Sequence, residues 1–221
     1  MPHASVNGIN IFYEIIGEDD NPTLVMTHGL GSHGRAYENL IPEFTKGYRL
    51  LLWDMRGHGQ SDRPKAEAGV YTRSQHASDL AGLLDSLNIQ KAHIHGHSLG
   101  GLVAQQFVIS YPEKTASLII QDSSAEIKKE YVDGWDDRIQ NVIDMGLEGI
   151  PVDYTRGWGK KFSDANKEYI DARHIESAER NDLFVYVEDM RISGTDLYEN
   201  PLAPQLHEIK CPVLVICGEE D

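Results

Sequence analysis

The stretch Ala92–Gly101 has the sequence AHIHGHSLGG, which contains the pattern Gly-x-Ser-x-Gly centred on Ser98. The residues before the pattern have the composition of a short buried strand, and those from Gly100 to Ser110 have helical spacing. Between a strand and a helix, this pattern forms a sharp turn that exposes the serine hydroxyl. The flanking positions Gly96 and Gly100 are glycine because neighbouring backbone comes close at such a turn. The stretch therefore predicts a strand, a turn with Ser98 at its tip, and a helix.

Short apolar runs bounded by turn residues recur along the chain, at residues 24–27, 48–53, 116–121 and 213–217. Segments with helical spacing, such as 74–87, lie between them. Alternating strands and helices predict an α/β fold with a mostly parallel, doubly wound sheet. The alternating stretch Val6–Ile16 carries an Asn7-Gly8 turn signal, which favours antiparallel strands at a sheet edge.

The alternation of strands and helices breaks between about Ala125 and Gln205, where helical patterns occur without a convincing strand. We therefore predict a core at residues 1–124, a helical lid at 125–205 and a resumed core strand at 206–221. Two apolar stripes mark the predicted lid helices, the second being closed by Gly194 as a C′ residue. The stripes comprise Trp135, Ile139, Val142 and Ile143, then Leu183, Val187 and Met190.

A second glycine-rich segment, His28-Gly29-Leu30-Gly31, follows the predicted strand at residues 24–27. A serine nucleophile needs donors that hold the negative oxygen formed on the attacked carbonyl. In a turn of this kind, one donor is the N–H of the residue after the serine and the other comes from the loop after an earlier strand. These positions predict Leu99 and Leu30 as the donors of an oxyanion hole. The alternative is a tight turn without a catalytic part.

A third polar loop, Asp54–Ser61 with the sequence DMRGHGQS, follows the strand at 48–53. A polar loop beside a pocket must satisfy its own backbone groups. We expect Asp54, Arg56 and His58 to fix this loop by hydrogen bonds rather than to take part in the chemistry.

Charge and composition exclude several classes of function. The chain has 221 residues, 20 Lys and Arg against 35 Asp and Glu, and a formal charge of −15, so a nucleic acid would on average be repelled. No basic segment leads into an apolar stretch at the N-terminus, and no run is long enough to span a bilayer.

Cys211 and Cys217 are too far apart along a strand for a disulfide and are expected to be reduced, buried thiols. The sequence thus indicates a soluble cytoplasmic protein without membrane or nucleic-acid partners.

The segments His28–Gly31, Asp54–Ser61, Gly96–Gly101 and Pro212–Asp221 together resemble the α/β-hydrolase family. Within it, the chain is most similar to the branch of 3-oxoadipate enol-lactonases, cofactor-free haloperoxidases and esterases. Epoxide hydrolases and haloalkane dehalogenases also resemble it, but they have Asp at the nucleophile position, and Ser98 argues against both. The resemblance implies an acyl-enzyme on Ser98, a small ester or lactone substrate and no cofactor.

The resemblance also places the remaining members of the catalytic triad. Asp221 matches the family's acid position, and Asp122, after the strand at 116–121, is the rival. The family's histidine lies after one more strand, where this chain has already ended, and His97 in the turn is expected to point elsewhere. We therefore expect a fragment that lacks the last strand, the last helix and the general base. Its exposed sheet edge at 213–217 could invite self-association.

Three other functions remain open at the level of sequence. The alternate histidines His93, His95 and His97 share one face of a strand and could bind zinc in a metal hydrolase. A binding or signalling protein could keep this scaffold without its chemistry, because fold does not fix function. Hydrolases that cleave carbon–carbon bonds of ring-cleavage products use the same parts.

Overall fold

The computed structural model of the chain describes residues 2–65, 69–149 and 166–219. Seven strands form one sheet in the order β1-β2-β4-β3-β5-β6-β7, and strands β3 to β7 run parallel. The predicted α/β fold with a mostly parallel sheet is confirmed. The strands are β1 His3–Val6, β2 Ile9–Ile16, β3 Thr23–Thr27, β4 Arg49–Trp53, β5 Ala92–His97, β6 Thr115–Gln121 and β7 Val213–Ile216.

The antiparallel strands β1 and β2 form the predicted hairpin at one edge of the sheet. Asn7 and Gly8 join them and have φ angles of 49° and 78°. This left-handed pair gives a two-residue turn the twist that a hairpin requires, and Asn and Gly adopt it readily. The Asn-Gly signal in the sequence therefore located the turn correctly.

The helices described by the structure lie between or after these strands. They are α1 Ile41–Phe44, α2 Arg73–Ser86, α3 Leu99–Ser110, α4 Lys129–Met145, α5 Lys167–Arg180, α6 Leu183–Ser193 and α7 Thr195–Glu199. Short 3₁₀ segments occur at Gly34–Leu40, Pro112–Lys114, Leu147–Gly149 and Ala203–Glu208. We call α4 to α7 the inter-strand helices, because the chain forms them between β6 and β7. None of the helices in these ranges has the length and apolar character needed to cross a bilayer.

Side chains that alternate along the central strands build two apolar layers. Val25, Leu51 and Ile94 pack with α2 and α3 on one face of the sheet. Leu24 and Leu50, their neighbours along the strands, pack with Tyr37, Ile41 and Phe44 on the other face. A sheet buried on both faces explains why these strands appear in the sequence as continuous apolar runs rather than as alternating ones.

The inter-strand helices pack partly as the apolar stripes predicted. Ile139, Val142, Val187 and Met190 are buried together with Leu147. Ile143 and Leu183 were predicted to share these stripes but are 43% and 37% exposed, because the buried faces are narrower than the helical spacing suggested. The predicted boundaries at 124 and 205 stay a prediction, and residues 150–165 of the proposed lid lie outside the described part of the chain.

Gly194 was predicted as a C′ residue, a position where a left-handed backbone is common, but its φ is −106° and it lies directly between α6 and α7. A Cβ at this position would lie 2.9 Å from Cβ of Trp135. Close packing of α7 against α4, and not backbone handedness, therefore explains the glycine.

Strand β7 lies at the opposite edge of the sheet from the hairpin. It pairs only with β6 among the described strands, and the side chains of Val213 to Ile216 are 45–64% exposed. The prediction of two buried thiols is wrong for the same reason, since Cys217 is exposed and Cys211 is partly buried; both are free. Self-association through this edge stays a prediction.

Candidate active site

Ser98 occupies the turn between β5 and α3. It follows the last residue of β5, precedes the first residue of α3, and has a φ of 53° and a ψ of −120°. A positive φ is uncommon for a residue other than glycine and is held in place by the surrounding contacts. One such contact is the hydrogen bond from the Ser98 N–H to the carbonyl oxygen of Gln121, at 3.0 Å. The structure thus places Ser98 at the tip of a tight strand-to-helix turn.

The two glycines of the Gly-x-Ser-x-Gly pattern lie where backbone segments nearly touch. A Cβ on Gly96 would lie 2.1 Å from the carbonyl oxygen of Gly100. A Cβ on Gly100 would lie 2.4 Å from the carbonyl oxygen of Thr27, the last residue of β3. Any side chain at either position would have to displace main chain, which accounts for the spacing of the motif.

We expect Gly100→Ala to destabilise the protein by about 1–3 kcal/mol, because overpacking forces backbone shifts. Gly134→Ala is the matched control, since Gly134 lies inside α4 and a Cβ there would meet nothing within 4 Å. The control should stabilise the protein by about 0.4–1 kcal/mol. Urea unfolding measures both variants, and equal shifts in the two would contradict the close approach.

The glycine-rich loop after β3 lies directly against the turn that carries Ser98. A Cβ built on Gly29 would lie 3.3 Å from Cβ of Ser98 and 3.0 Å from Nδ1 of His97. A side chain at residue 29 would push His97 and Ser98 away by a few tenths of an ångström, so the glycine favours the close approach of the loop to the serine. The structure brings the predicted residues Gly29, Leu30 and Gly31 together with Ser98 at one end of the parallel strands.

His28 fixes the orientation of the first peptide in this loop. Its Nε2 accepts a hydrogen bond from the N–H of Met55 at 3.0 Å, and its Nδ1 lies 2.8 Å from the carbonyl oxygen of Gly29. Because Nε2 accepts, Nδ1 carries the proton and donates to Gly29. The Gly29–Leu30 peptide is trans, so the N–H of Leu30 points away from the His28 ring.

Leu99, the other predicted donor, is the first residue of α3 and is buried. The first N–H groups of a helix have no acceptor within that helix, and the helix dipole favours negative charge at this end. The two backbone amides singled out in the sequence therefore belong to segments that meet at Ser98.

The third loop is fixed by its own side chains, as the sequence predicted. Asp54 accepts hydrogen bonds from the N–H groups of Gly34 and Gln60, at 2.7 and 2.8 Å. The guanidinium of Arg56 donates to both carboxylate oxygens of Asp79 on α2, at 2.6 and 2.8 Å.

His58 connects this third loop to the glycine-rich loop. Its Nε2 accepts from the N–H of Gly31 at 3.4 Å, and its Nδ1 lies 3.6 Å from Oδ2 of Asp189 on α6. Asp189 also contacts Nε2 of His76, at 2.9 Å, and all three side chains are fully buried. Asp79, His76 and Asp189 were not identified from the sequence, because their partners are distant along the chain.

Burial lowers the pKa of several histidines. Desolvation lowers the pKa of His28 well below its usual value, and the neighbouring His58 lowers it further. Burial also lowers the pKa of His58, although the nearby Asp189 acts in the opposite direction. Burial lowers the pKa of His95 as well, although its hydrogen bond to Gln121 raises it. These imidazoles are therefore neutral near pH 7.

We expect the free energy of unfolding to fall as the pH is lowered from about 7.5 to about 5.5. In this range the unfolded chain, with ordinary histidine pKa values near 6.5, binds protons that the folded protein does not. The stabilisation is complete above the unfolded pKa and is lost as the pH falls through it. His95→Gln should flatten the dependence measured by urea unfolding, whereas His207→Gln, at an exposed position, should not. Equal pH dependence in the two variants would contradict this origin.

A cavity of about 660 Å³ opens beside Ser98. The glycine-rich loop and the Ser98 turn form one wall, and α5 forms another. The residues lining it include Leu30, Gly31, His33, His97, Ser98 and Asp122, together with Tyr169, Arg173, Glu176, Ser177 and Arg180 of α5. On that second wall, Glu176 pairs with both Arg173 and Arg180, and lies 3.4 Å from Nε2 of His33.

Of the two candidate acids, only Asp122 lies in the described part of the chain. Its Oδ1 accepts from the N–H of Gly218 at 3.0 Å, and its Oδ2 lies 3.9 Å from Nε2 of His97. The imidazole of His97, expected to point elsewhere, thus lies between Gly29 and Asp122 at the cavity. Asp221 lies outside the described residues, so the choice of acid stays open.

The alternate histidines of β5 have separate partners. Nδ1 of His93 lies 2.8 Å from Oγ of Ser117, and Nε2 of His95 lies 3.0 Å from Oε1 of Gln121. Over residues 2–65, 69–149 and 166–219, no three His, Cys, Asp or Glu side chains are grouped so that they could hold a metal ion. The geometry of the described strand therefore does not favour the zinc alternative.

A parallel sheet that presents a serine at a strand-to-helix turn, beside a glycine-rich loop, defines the class of α/β hydrolases. The family model described as alpha/beta hydrolase fold matches residues 22–221, and the chain belongs to this family. The resemblance noted in the sequence is thereby confirmed.

The relatives of the chain include lactonases. The 3-oxoadipate enol-lactonase 2 of Acinetobacter baylyi is 31% identical over 210 residues, which are 95% of this chain and 75% of that protein. The crystal structure of the enol-lactonase from Burkholderia xenovorans LB400 has a TM-score of 0.86 at 26% identity, covering 99% of this chain and 81% of that one. The structure of Est816, described as an N-acyl homoserine lactone degrading enzyme, has a TM-score of 0.77 at 25% identity and covers 100% and 82%.

Proposed function

We propose that the protein is a serine hydrolase that cleaves a small carboxylic ester or lactone through an acyl-enzyme on Ser98. The observation that carries this proposal is the position of Ser98 at a turn with a φ of 53°, at the cavity and against the Gly29–Gly31 loop. Lactonases among the relatives support the substrate class.

In the proposed reaction, Oγ of Ser98 attacks the carbonyl carbon of the substrate while a histidine accepts the hydroxyl proton. The carbonyl oxygen becomes negative and accepts hydrogen bonds from the N–H groups of Leu30 and Leu99. Collapse of this intermediate breaks the bond to the alcohol oxygen, which takes the proton from the histidine. Water then attacks the acyl-enzyme by the same route and releases the carboxylic acid. No step uses a cofactor.

The helices α5 and α6 are proposed to act as a lid, because α5 forms one wall of the cavity. Its arginines and Glu176 make that wall polar, whereas Leu30 and Tyr37 contribute apolar surface near the serine. A small substrate with both polar and apolar parts fits such a cavity. Carbon–carbon bond hydrolysis stays the second candidate, since it needs the same serine and donors.

Labelling with a fluorophosphonate probe tests the proposal. The protein is expressed both as residues 1–221 and with any residues that its gene encodes after position 221. We expect a label on Ser98 in the protein that contains the general base, and loss of that label in Ser98→Ala. Ser110→Ala, at the exposed far end of α3, should keep the label. A longer protein without a label, or equal labelling after Ser98→Ala, would contradict the assignment; a full label on the shorter chain would contradict the predicted place of the histidine.

A further inference from the structure

The helix α5, which lines the cavity, also holds the glycine-rich loop by its main chain. The carbonyl oxygen of Gly31 accepts two hydrogen bonds from α5 and its C-terminal end. Oγ of Ser177 donates at 2.9 Å, and Nδ2 of Asn181 donates at 2.8 Å. These contacts join residues 146 and 150 positions apart in the sequence.

Both donors are held in place by the end of α5. Nδ2 of Asn181 also donates to the carbonyl oxygen of Ser177 at 2.7 Å, and Asn181 is the C-cap residue that follows the helix. The guanidinium of Arg63, an exposed residue just after the third loop, donates to the carbonyl oxygen of Arg180. The C-terminal turn of α5 is therefore tied both to Gly31 and to Arg63.

Gly31 fits this contact closely. Its φ is 68°, and a Cβ there would lie 2.6 Å from Oγ of Ser177 and 2.8 Å from Cε2 of Tyr186 on α6. Only glycine can adopt this backbone and also leave room for two helices. The space at Gly31 is thus shaped by α5 and α6 and not by the core alone.

Each of the three successive peptides in the loop is held by a different side chain. His28 holds the carbonyl of Gly29, and His58 holds the N–H of Gly31. Ser177 and Asn181 hold the carbonyl of Gly31. His28 and His58 lie in the loops that follow β3 and β4, whereas Ser177 lies in α5 and Asn181 is its C-cap residue. The peptide that carries the N–H of Leu30 is held directly by His28, and the two peptides that follow it are held by His58 and by Ser177 and Asn181.

We infer that Ser177 and Asn181 are positioning residues: by holding the Gly31 carbonyl, they fix the Gly29–Gly31 loop and with it the orientation of the Leu30 amide. The inference rests on the proposed function, because it takes the Leu30 N–H as a donor to the negative oxygen that forms in the proposed reaction. Arg173 and Glu176 of the same helix line the cavity beside Ser98.

The variant Asn181→Asp tests this inference most directly. It keeps the size of the side chain but replaces the donor by a carboxylate oxygen that faces the Gly31 carbonyl oxygen. We expect kcat for an ester substrate to fall about 10- to 100-fold while KM stays within about threefold, because a misoriented Leu30 amide weakens an interaction that forms mainly in the transition state. Ser177→Thr, which keeps the hydroxyl, should retain most of the activity, and Ser177→Ala should lose more.

The matched control is Glu179→Gln, because Glu179 is an exposed residue of the same helix. It should leave kcat and KM unchanged. A second signature is the pH dependence of the activity ratio between Asn181→Asp and the wild type. That ratio should rise as the pH falls, because the protonated carboxyl regains a donor.

Hydrogen exchange over residues 29–35 provides a readout that does not depend on activity. Asn181→Asp should speed exchange in this segment, with exchange in β5 unchanged as evidence that the core stays folded. Unchanged exchange at 29–35 would overturn the inference. A wild-type kcat in Asn181→Asp, measured where Ser98→Ala is inactive, would also overturn the inference. That outcome would leave the proposed function intact. A wild-type protein with no Ser98-dependent hydrolysis would overturn the proposed function and the inference with it.

Discussion

Replacing Ser98 by alanine is expected to lower kcat for an ester substrate about 10³-fold or more in the protein that contains the general base. The covalent step cannot occur without the hydroxyl, and the activity that remains comes from the oxyanion donors and from binding alone. The substitution removes one oxygen at a partly buried position and leaves the Ser98 backbone bond to Gln121 in place. Stability should therefore change little.

Initial rates with an ester such as p-nitrophenyl acetate measure this effect, with Ser110→Ala as the control at the far end of α3. Rapid mixing of the wild type should show a burst of alcohol release if an acyl-enzyme accumulates. A Ser98→Ala protein that hydrolyses the ester within about tenfold of the wild type would refute the role of this serine.

Replacing Asp79 by asparagine is expected to destabilise the fold by about 3–5 kcal/mol. Asp79 is fully buried, and both its oxygens accept from Arg56, whose side chain is only 5% exposed. Asn7 and Gln75 also donate to this carboxylate, at 2.8 and 3.1 Å. The substitution would leave the Arg56 guanidinium buried without a compensating charge, which costs more than the loss of an exposed pair.

Asp85→Asn supplies the matched control on the same helix. Asp85 pairs with Lys114, but its side chain is 61% exposed, so its loss should cost less than about 1 kcal/mol. The midpoint of urea unfolding for each variant gives the comparison. Equal effects of the two substitutions would show that the Arg56–Asp79 pair does not hold the third loop on α2.

The sequence predicted the strands and the turn at Ser98 because their signals are local. The strands of the sheet are apolar runs, and the hairpin turn needs the left-handed conformation that Asn7 and Gly8 adopt. Backbone segments approach closely at a strand-to-helix turn of this kind, and the glycines around Ser98 leave room for them. A short sequence pattern is therefore sufficient to locate the turn. The oxyanion donors could be placed only by their positions in the sequence. The acid and the histidine of the triad could be placed only by resemblance to the family.

Other features needed the tertiary structure. Spacing alone placed Ile143 and Leu183 on buried stripes, yet both are exposed, since the neighbouring elements decide how wide a buried face is. Cys217 belongs to an apolar run, but its thiol is exposed in the described structure. A periodic pattern specifies which face of an element is apolar and does not specify how completely that face is covered.

The sequence by itself determined the fold class, the position of Ser98 and the identity of the loops around it, because each depends on residues within a few positions of one another. Only the tertiary structure decided that Asp79 holds Arg56, that Asp189 lies beside His58, and that Asn181 holds Gly31. These contacts join residues up to 150 positions apart. Polar side chains of this kind carry no local signal, since their partners are chosen by the packing of helices on the sheet.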